Sequence, residues 1–200
     1  MPVRTRVTVP LEFADGWGTT AEVITFTGLA DGKEHLALAL GNVTGVPLVR
    51  MHSECMTGDV FGSQRCDCGP QLREAVEEIA TAGGYLLYLR QEGRGIGLYA
   101  KLDAYALQDL GMDTYEANRA LGHADDERDY TAAGQMLEAL GVTEVDLLTN
   151  NPDKSRQLRD LGVGVRSVRA TGVHASPANV RYLQAKVAHT QHTIDLPAAS

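Results

Sequence analysis

Residues 70–89, Pro70-Gln71-Leu72-Arg73-Glu74-Ala75-Val76-Glu77-Glu78-Ile79-Ala80-Thr81-Ala82-Gly83-Gly84-Tyr85-Leu86-Leu87-Tyr88-Leu89, decide the fold class. Leu72, Val76 and Ile79 recur at helical spacing with charges between them, and Gly83-Gly84 ends the run. Tyr85 to Leu89 then reads as a buried strand. Helix and strand go on alternating downstream. Helical patterns cover Leu98 to Leu110 and Tyr130 to Leu140, and Gly141 stops the second before an apolar strand at Val145 to Leu148. Asn151 can cap and Pro152 can open the next helix, which leads to Gly162 and a strand-like Val163 to Val168. A last helix is expected over Ser176 to Val187, and Asp195 to Ser200 read as a frayed tail.

Upstream the pattern is different. Val7 to Phe13, Glu22 to Phe26 and Leu36 to Leu40 are short apolar or alternating runs separated by turns such as Ala30-Asp31-Gly32, so the first part is strand-rich. The expectation is a mixed α/β protein forming a single compact domain over residues 1–200. Its strand-rich part spans 1–50, its chemistry-bearing motifs 50–170, and its C-terminal helix and tail 171–200. There is no internal repeat, low-complexity segment or long linker.

The formal net charge of -8 argues against a broad electrostatic grip on nucleic acid, and 6% aromatic residues leave little for base stacking. No run of about eighteen apolar residues is present and the N-terminus lacks the order of a signal peptide, which points to a cytoplasmic protein without a membrane span. Any anionic ligand has to be held locally.

Cys55, Cys66 and Cys68 cannot all pair with one another, and their closeness in sequence is unlike a disulfide framework. Arg50-Met51-His52-Ser53-Glu54-Cys55, followed by Arg65-Cys66-Asp67-Cys68-Gly69, places three soft ligands where a loop can fold back on a strand end, and zinc is the expected metal. Three protein ligands leave a fourth position for water, as in catalytic sites, unless His52 closes the tetrahedron and makes the site structural. Buried cysteines without a metal are the remaining alternative, disfavoured by the Gly and charge that flank Cys66-Asp67-Cys68. Three thiolates outweigh the charge of one zinc ion, so a bound water is acidified less than in an all-imidazole site and needs a base nearby; Glu54 is a candidate by position. Zinc nucleobase deaminases pair His-x-Glu with Pro-Cys-x-x-Cys. His52-Ser53-Glu54 fits the first half of that pattern. Cys66 and Cys68 fail the second half, leaving hydrolytic attack on a heterocycle as the right kind of chemistry.

Two segments suit phosphate. Arg90-Gln91-Glu92-Gly93-Arg94-Gly95-Ile96-Gly97 follows a strand and precedes a helix; its G-x-G-x-G spacing alone is a weak signal and equally fits a tight turn, but Arg90 and Arg94 add planar guanidinium groups. In Thr149-Asn150-Asn151-Pro152-Asp153-Lys154 a helix N-terminus, a hydroxyl and an ammonium would converge, against the simpler reading of a helix cap and an exposed Lys. Asp125-Asp126-Glu127-Arg128-Asp129 crowds acids around one arginine before a helix. That is ordinary helix-start chemistry, or a base beside a phosphate contact.

Taken in order, RMHSEC, RCDCG, RQEGRGIGL, AYALQD, TYEAN, DDERDY and LLTNNPDK resemble the GTP cyclohydrolase II family over Arg50 to about Leu161. The resemblance implies the first committed enzyme of riboflavin synthesis in its stand-alone form, without the companion synthase domain. It implies a zinc enzyme, with one zinc per chain, that uses magnesium with the triphosphate of GTP and releases formate and pyrophosphate. The remaining product is a diaminopyrimidine ribosyl phosphate, and a homodimer is the usual assembly. Carried over by position, Cys55, Cys66 and Cys68 match the zinc ligands. Arg50, Met51, His52, Ser53, Glu54, Gln71, Glu92, Gly93, Arg94, Thr114, Thr149 and Lys154 match nucleotide contacts. Asp126 matches the proton acceptor, Tyr105 a tyrosine near the reacting ring, and Arg128 the residue assigned as nucleophile toward the alpha phosphate. Arginine stays protonated, so stabilising departing pyrophosphate is an equally physical role for Arg128. Ala100, His123, Met56 and Gln64 depart from the family pattern, and an arrest after one hydrolysis would release a formamidopyrimidine instead. A zinc-stabilised GTP sensor without turnover is the rival from another class.

Overall fold

The computed structural model describes residues 2–180 and 182–184. They divide into two compact units, each gathered from separated stretches of chain. The first holds the residues up to His52, Arg73–Arg90 and Tyr130–Thr171; the second holds Ser53–Leu72, Gln91–Asp129 and the described residues from Gly172 on.

In the first unit one mixed sheet carries β1 (Val3–Glu12), β2 (Gly18–Phe26), β3 (Leu36–Leu40), β4 (Leu48–Ser53), β5 (Gly84–Leu89), β6 (Glu144–Leu148) and β7 (Gly164–Arg169) in the order β1-β2-β3-β5-β4-β6-β7. β1, β2, β3 and β5 pair antiparallel, with registers such as Val23↔Leu38 and Leu38↔Leu86. β4, β6 and β7 pair parallel, with Val49 opposite Leu147. Parallel neighbours need a crossover, and α6 (Pro152–Asp160) supplies the one from β6 to β7. The α/β class expected from the sequence is the one observed.

The core lies between this sheet and its helices. Ile24, Ala37, Val49, Met51, Leu87 and Leu147 meet Ala133, Met136 and Leu137 of α5 (Thr131–Ala139) and Leu158 of α6. A fully buried Leu, Ile or Met stabilises by about 1.5–3 kcal/mol. The deciding stretch folds as read, with small shifts: the helix α2 is Cys68–Ala82 and β5 begins at Gly84. Gly83 ends α2 in the left-handed region at φ 81°, donating its N–H to the Ile79 carbonyl at 2.8 Å. At Gly84 a Cβ would lie 1.9 Å from the Leu48 carbonyl oxygen, so no larger residue fits there. Asn151 caps α6 by accepting the Asp153 N–H at 3.0 Å.

The second unit contains α1 (Met56–Asp59), the first turn of α2, a 3-10 turn over Glu92–Gly95, α3 (Leu98–Asp109) and α4 (Thr114–Ala120). The apolar pattern does not announce α4. It is opened by a capping box in which Asp113 accepts the N–H groups of Tyr115 and Glu116, while the Glu116 side chain accepts that of Asp113. Of the last expected helix, residues 176–179 form a turn rather than helix, Val180 and residues 182–184 are helical, and residue 181 and residues 185–187 lie outside the described residues, as does the tail from Asp195 to Ser200. No helix among the described residues is long and apolar enough to cross a membrane.

Candidate active site and thiol cluster

The three cysteines meet where α1 begins and α2 begins. Their sulfurs all lie within 4.8 Å of one another, with Cys55 and Cys66 Sγ 3.6 Å apart. Two ligands on a tetrahedral zinc at about 2.3 Å would sit about 3.8 Å apart, so the spacing suits that ion. Gly58 makes room for the cluster: a Cβ there would lie 2.8 Å from Cys66 Sγ and 3.1 Å from Cys55 Sγ. The protons are shared unevenly. Hydrogen bonds from the Cys66 and Cys68 thiols, and then Lys101, pull Cys55 toward the thiolate, whereas proximity to Cys55 pushes Cys66 up to about 11 and Cys68 well above its ordinary value. All three sulfurs could ionise together only with a cation among them. The cluster among the described residues consists of these three side chains, and His52, stacked on Tyr88 in the first unit with ring centroids 5.5 Å apart, is not part of it. A donor set of three leaves one coordination position open.

A pocket opens onto the cluster, and every residue lining it belongs to the second unit. Ser53, Glu54, Glu92, Gly93, Arg94 and Thr114 of the expected set line it, as do Tyr105 and Arg128. Lys101, Tyr105 and Gln108 come from one face of α3, at spacings of four and three residues. Lys101 Nζ donates to Cys55 Sγ at 3.1 Å, Thr57 Oγ1 at 2.9 Å and Glu92 Oε1 at 2.8 Å. Glu92 also accepts the N–H groups of Met56 at 2.6 Å and Gly93 at 3.1 Å, so its carboxylate is largely engaged within the chain. The guanidinium of Arg65 lies 4.4 Å from the Tyr105 ring centre and pairs with Asp109 at 2.8 Å. Burial raises the Tyr105 phenol above its ordinary value, which keeps its proton in place at neutral pH.

Arg94 is held in an uncommon way. It is a non-glycine residue in the left-handed region at φ 62°, its guanidinium lies 4.4 Å from the Tyr115 ring centre, and its buried Nη1 finds no hydrogen-bond acceptor among the described residues. Strain plus an unsatisfied buried donor is the pattern of a group held for something outside the chain. Asp126 takes the Arg128 Nε at 2.8 Å on one oxygen and Nη2 on the other, a two-point fork. Burial alone would raise the Asp126 carboxyl, but the hydrogen bonds and field of Arg128 outweigh it and the net shift is downward. Gln71 is turned away from solvent, donating to Asp67 Oδ2 at 2.6 Å.

The other expected contacts belong to the first unit. Arg50 Nη1 donates to the Leu148 carbonyl at 3.5 Å, and Lys154 Nζ donates to the carbonyl of Met51. Thr149 Oγ1 accepts the Asn151 N–H at 3.0 Å. The convergence expected at the start of α6 is thus partly absorbed by local capping, although Lys154 is buried rather than an exposed lysine. Reasoning from the sequence missed Lys101, Thr57, Arg65 and Asn118. The i, i+4 relation of Lys101 to Tyr105 was the available signal. Ala100, His123, Met56 and Gln64 do not line the pocket; the His123 ring faces Glu127 at 3.3 Å, and the Gln64 amide donates to the Gly62 carbonyl.

Comparison with known proteins gives a consistent picture. The family described as GTP cyclohydrolase II matches residues 5–170. A GTP cyclohydrolase-2 of Vibrio parahaemolyticus serotype O3:K6 (strain RIMD 2210633) is 54% identical over 177 residues, covering 87% of this chain and 89% of the relative. A GTP cyclohydrolase-2 of Aliivibrio salmonicida (strain LFI1238) is 50% identical over 196 residues, covering 96% and 98%. A riboflavin biosynthesis protein RibBA of Bacillus velezensis is 49% identical over 192 residues, covering 94% of this chain and 47% of the relative.

Proposed function

The chain belongs to the GTP cyclohydrolase II family and is an enzyme of the hydrolase class, and from that premise we propose that it opens the guanine imidazole ring of GTP. The products are formate, pyrophosphate and 2,5-diamino-6-(ribosylamino)pyrimidinone 5'-phosphate. The observation that carries this reading is the three-cysteine cluster facing the same pocket as Tyr105, Arg94 and Arg128. Cys55, Cys66 and Cys68 would hold one zinc ion, which when bound supplies Lewis-acid activation of water for hydrolysis of the ring. Magnesium accompanies the triphosphate, and a cytoplasmic homodimer is the assembly.

The chain's own groups divide the remaining work. Arg94 offers a buried, unsatisfied N–H to phosphate oxygens, and its stacking on Tyr115 fixes the plane of the fork. Arg128 keeps its charge and stabilises departing pyrophosphate. Tyr105, held protonated by burial, donates a proton to a nitrogen released from the ring. Asp126 is a weak base while forked to Arg128, so it accepts a proton only once phosphate draws that guanidinium away. Glu54, in the pocket wall, is the alternative base. For Arg50, Met51, His52, Gln71, Thr149 and Lys154 the nucleotide-contact role rests on the family resemblance alone.

Complete reaction is favoured over arrest at the formamidopyrimidine because the four departures from the family pattern stand outside the pocket lining. The test is incubation of zinc-loaded protein with GTP and magnesium, followed by mass spectrometry of all products and a formate assay. Formate with the diaminopyrimidine is expected. A formamidopyrimidine without formate would refute the second hydrolysis, and unchanged GTP with zinc bound would favour a sensor.

A further inference from the structure

Lys101 stands outside the residues to which the family resemblance gives a role, yet it is held on three sides. It is 8% exposed, and its Nζ donates to Cys55 Sγ, Thr57 Oγ1 and Glu92 Oε1. An ammonium group has three N–H donors. All three are used within the chain, so none remains for a substrate, and any part Lys101 plays in the reaction passes through its partners. A lysine present only to balance Glu92 would need the 2.8 Å ion pair and nothing more. The contact to sulfur is the informative one. A cation hydrogen-bonded to a thiolate draws electron density from it and weakens its donation to a metal, in the way that outer partners of a ligand tune a metal centre. Three thiolates on one divalent ion would otherwise leave that ion electron-rich and a poor Lewis acid.

We propose that Lys101 is a positioning residue that moderates the Cys55 thiolate as a metal ligand while its second hydrogen bond locks Glu92 beside it. The proposal rests on the reading of the three cysteines as metal ligands. Cobalt(II) can stand in for zinc at sulfur-rich sites, and its sulfur-to-metal charge-transfer absorption reports the electron richness of the sulfur without any turnover. The wild type, Lys101→Met and Lys101→Gln are loaded with cobalt(II), and each spectrum is recorded together with metal stoichiometry and circular dichroism. All three should bind one cobalt. The charge-transfer band should move to lower energy in Lys101→Met, because an unshielded sulfur gives up its electron more easily, with Lys101→Gln in between. In the zinc forms kcat should fall about ten- to a hundredfold in Lys101→Met.

A Lys101→Met protein carrying one cobalt with the wild-type band would overturn the proposal. So would one that folds but takes up no cobalt, since the lysine would then be a support for the pocket rather than a moderator of the sulfur. If Lys101→Met does not fold, Lys101→Gln is judged by the same two criteria. A wild type that shows no sulfur-to-cobalt band would instead refute the metal reading itself.

Discussion

Replacing Gly58 by alanine sets two effects of opposite sign against each other. Gly58 lies within α1 and its φ is not in the left-handed region, so alanine can adopt its backbone, and helix propensity alone favours the change by about 1 kcal/mol. The new Cβ, however, would stand 2.8 Å from Cys66 Sγ, 3.1 Å from Cys55 Sγ and 3.1 Å from Cys68 Cβ. Optimal non-bonded separations are about 3.5–4.0 Å, so all three contacts are overlaps. Overpacking of this kind costs about 1–3 kcal/mol, and the sulfurs must spread to relieve it. Packing should therefore win, and because the strain falls on the three sulfurs it should appear chiefly as weakened metal binding. A net penalty near 1.4 kcal/mol corresponds to about a tenfold weaker zinc affinity. Competition with a chromophoric chelator measures that affinity, and a thermal melt of the metal-free protein isolates the folding component. Wild-type zinc affinity together with a raised melting temperature would refute the reasoning, since it would mean that helix propensity governs and that Gly58 does not shape the thiol cluster.

Tyr105→Phe removes the proposed proton donor but leaves the ring under Arg65, so zinc content should be unchanged while kcat falls about a hundredfold or more, measured by formate release. Arg128→Met removes the group that holds the Asp126 carboxyl below its ordinary 3.8. A depressed carboxyl contributes stability that is present above its unfolded value and lost as pH falls through its folded one, so the gap in melting temperature between wild type and variant should be widest near neutrality and close below about pH 4. A gap independent of pH would contradict this. Asn151→Ala removes the cap on α6 and should cost about 1 kcal/mol, which for a chain of this size lowers the melting temperature by about 2–4 °C.

Much of the fold is local chemistry and can be read from the chain. Leu72, Val76 and Ile79 share one helical face, Gly83 supplies a left-handed stop, and Asn151-Pro152 opens α6; each involves residues within a turn or two of one another. The three cysteines were legible for the same reason, because their residue type and closeness already limit their chemistry. β4 was not. Its Arg50 and His52 are buried charged and polar residues inside a strand, which breaks the apolar alternation that marks strands in a sequence. α4 escaped notice because it is only seven residues long, and its Asp113–Glu116 capping box is a weaker signal than a long apolar stripe.

What only the tertiary structure decided is non-local. The pairs β3 with β5 and β4 with β6 join strands that are not consecutive in the chain, and nothing in a strand's own residues names its partner. Lys101 makes the same point within the site. A lysine in a helix ordinarily reads as solvated, and it is the folding of the first turn of α3 against the turn after Cys55 that brings its ammonium to a sulfur, a hydroxyl and a carboxylate. The sequence determined which groups were available for chemistry. Burial and distance, which set the charge of Cys55, the fork of Asp126 on Arg128 and the unsatisfied donor of Arg94, exist only once the segments Ser53–Leu72 and Gln91–Asp129 have come together.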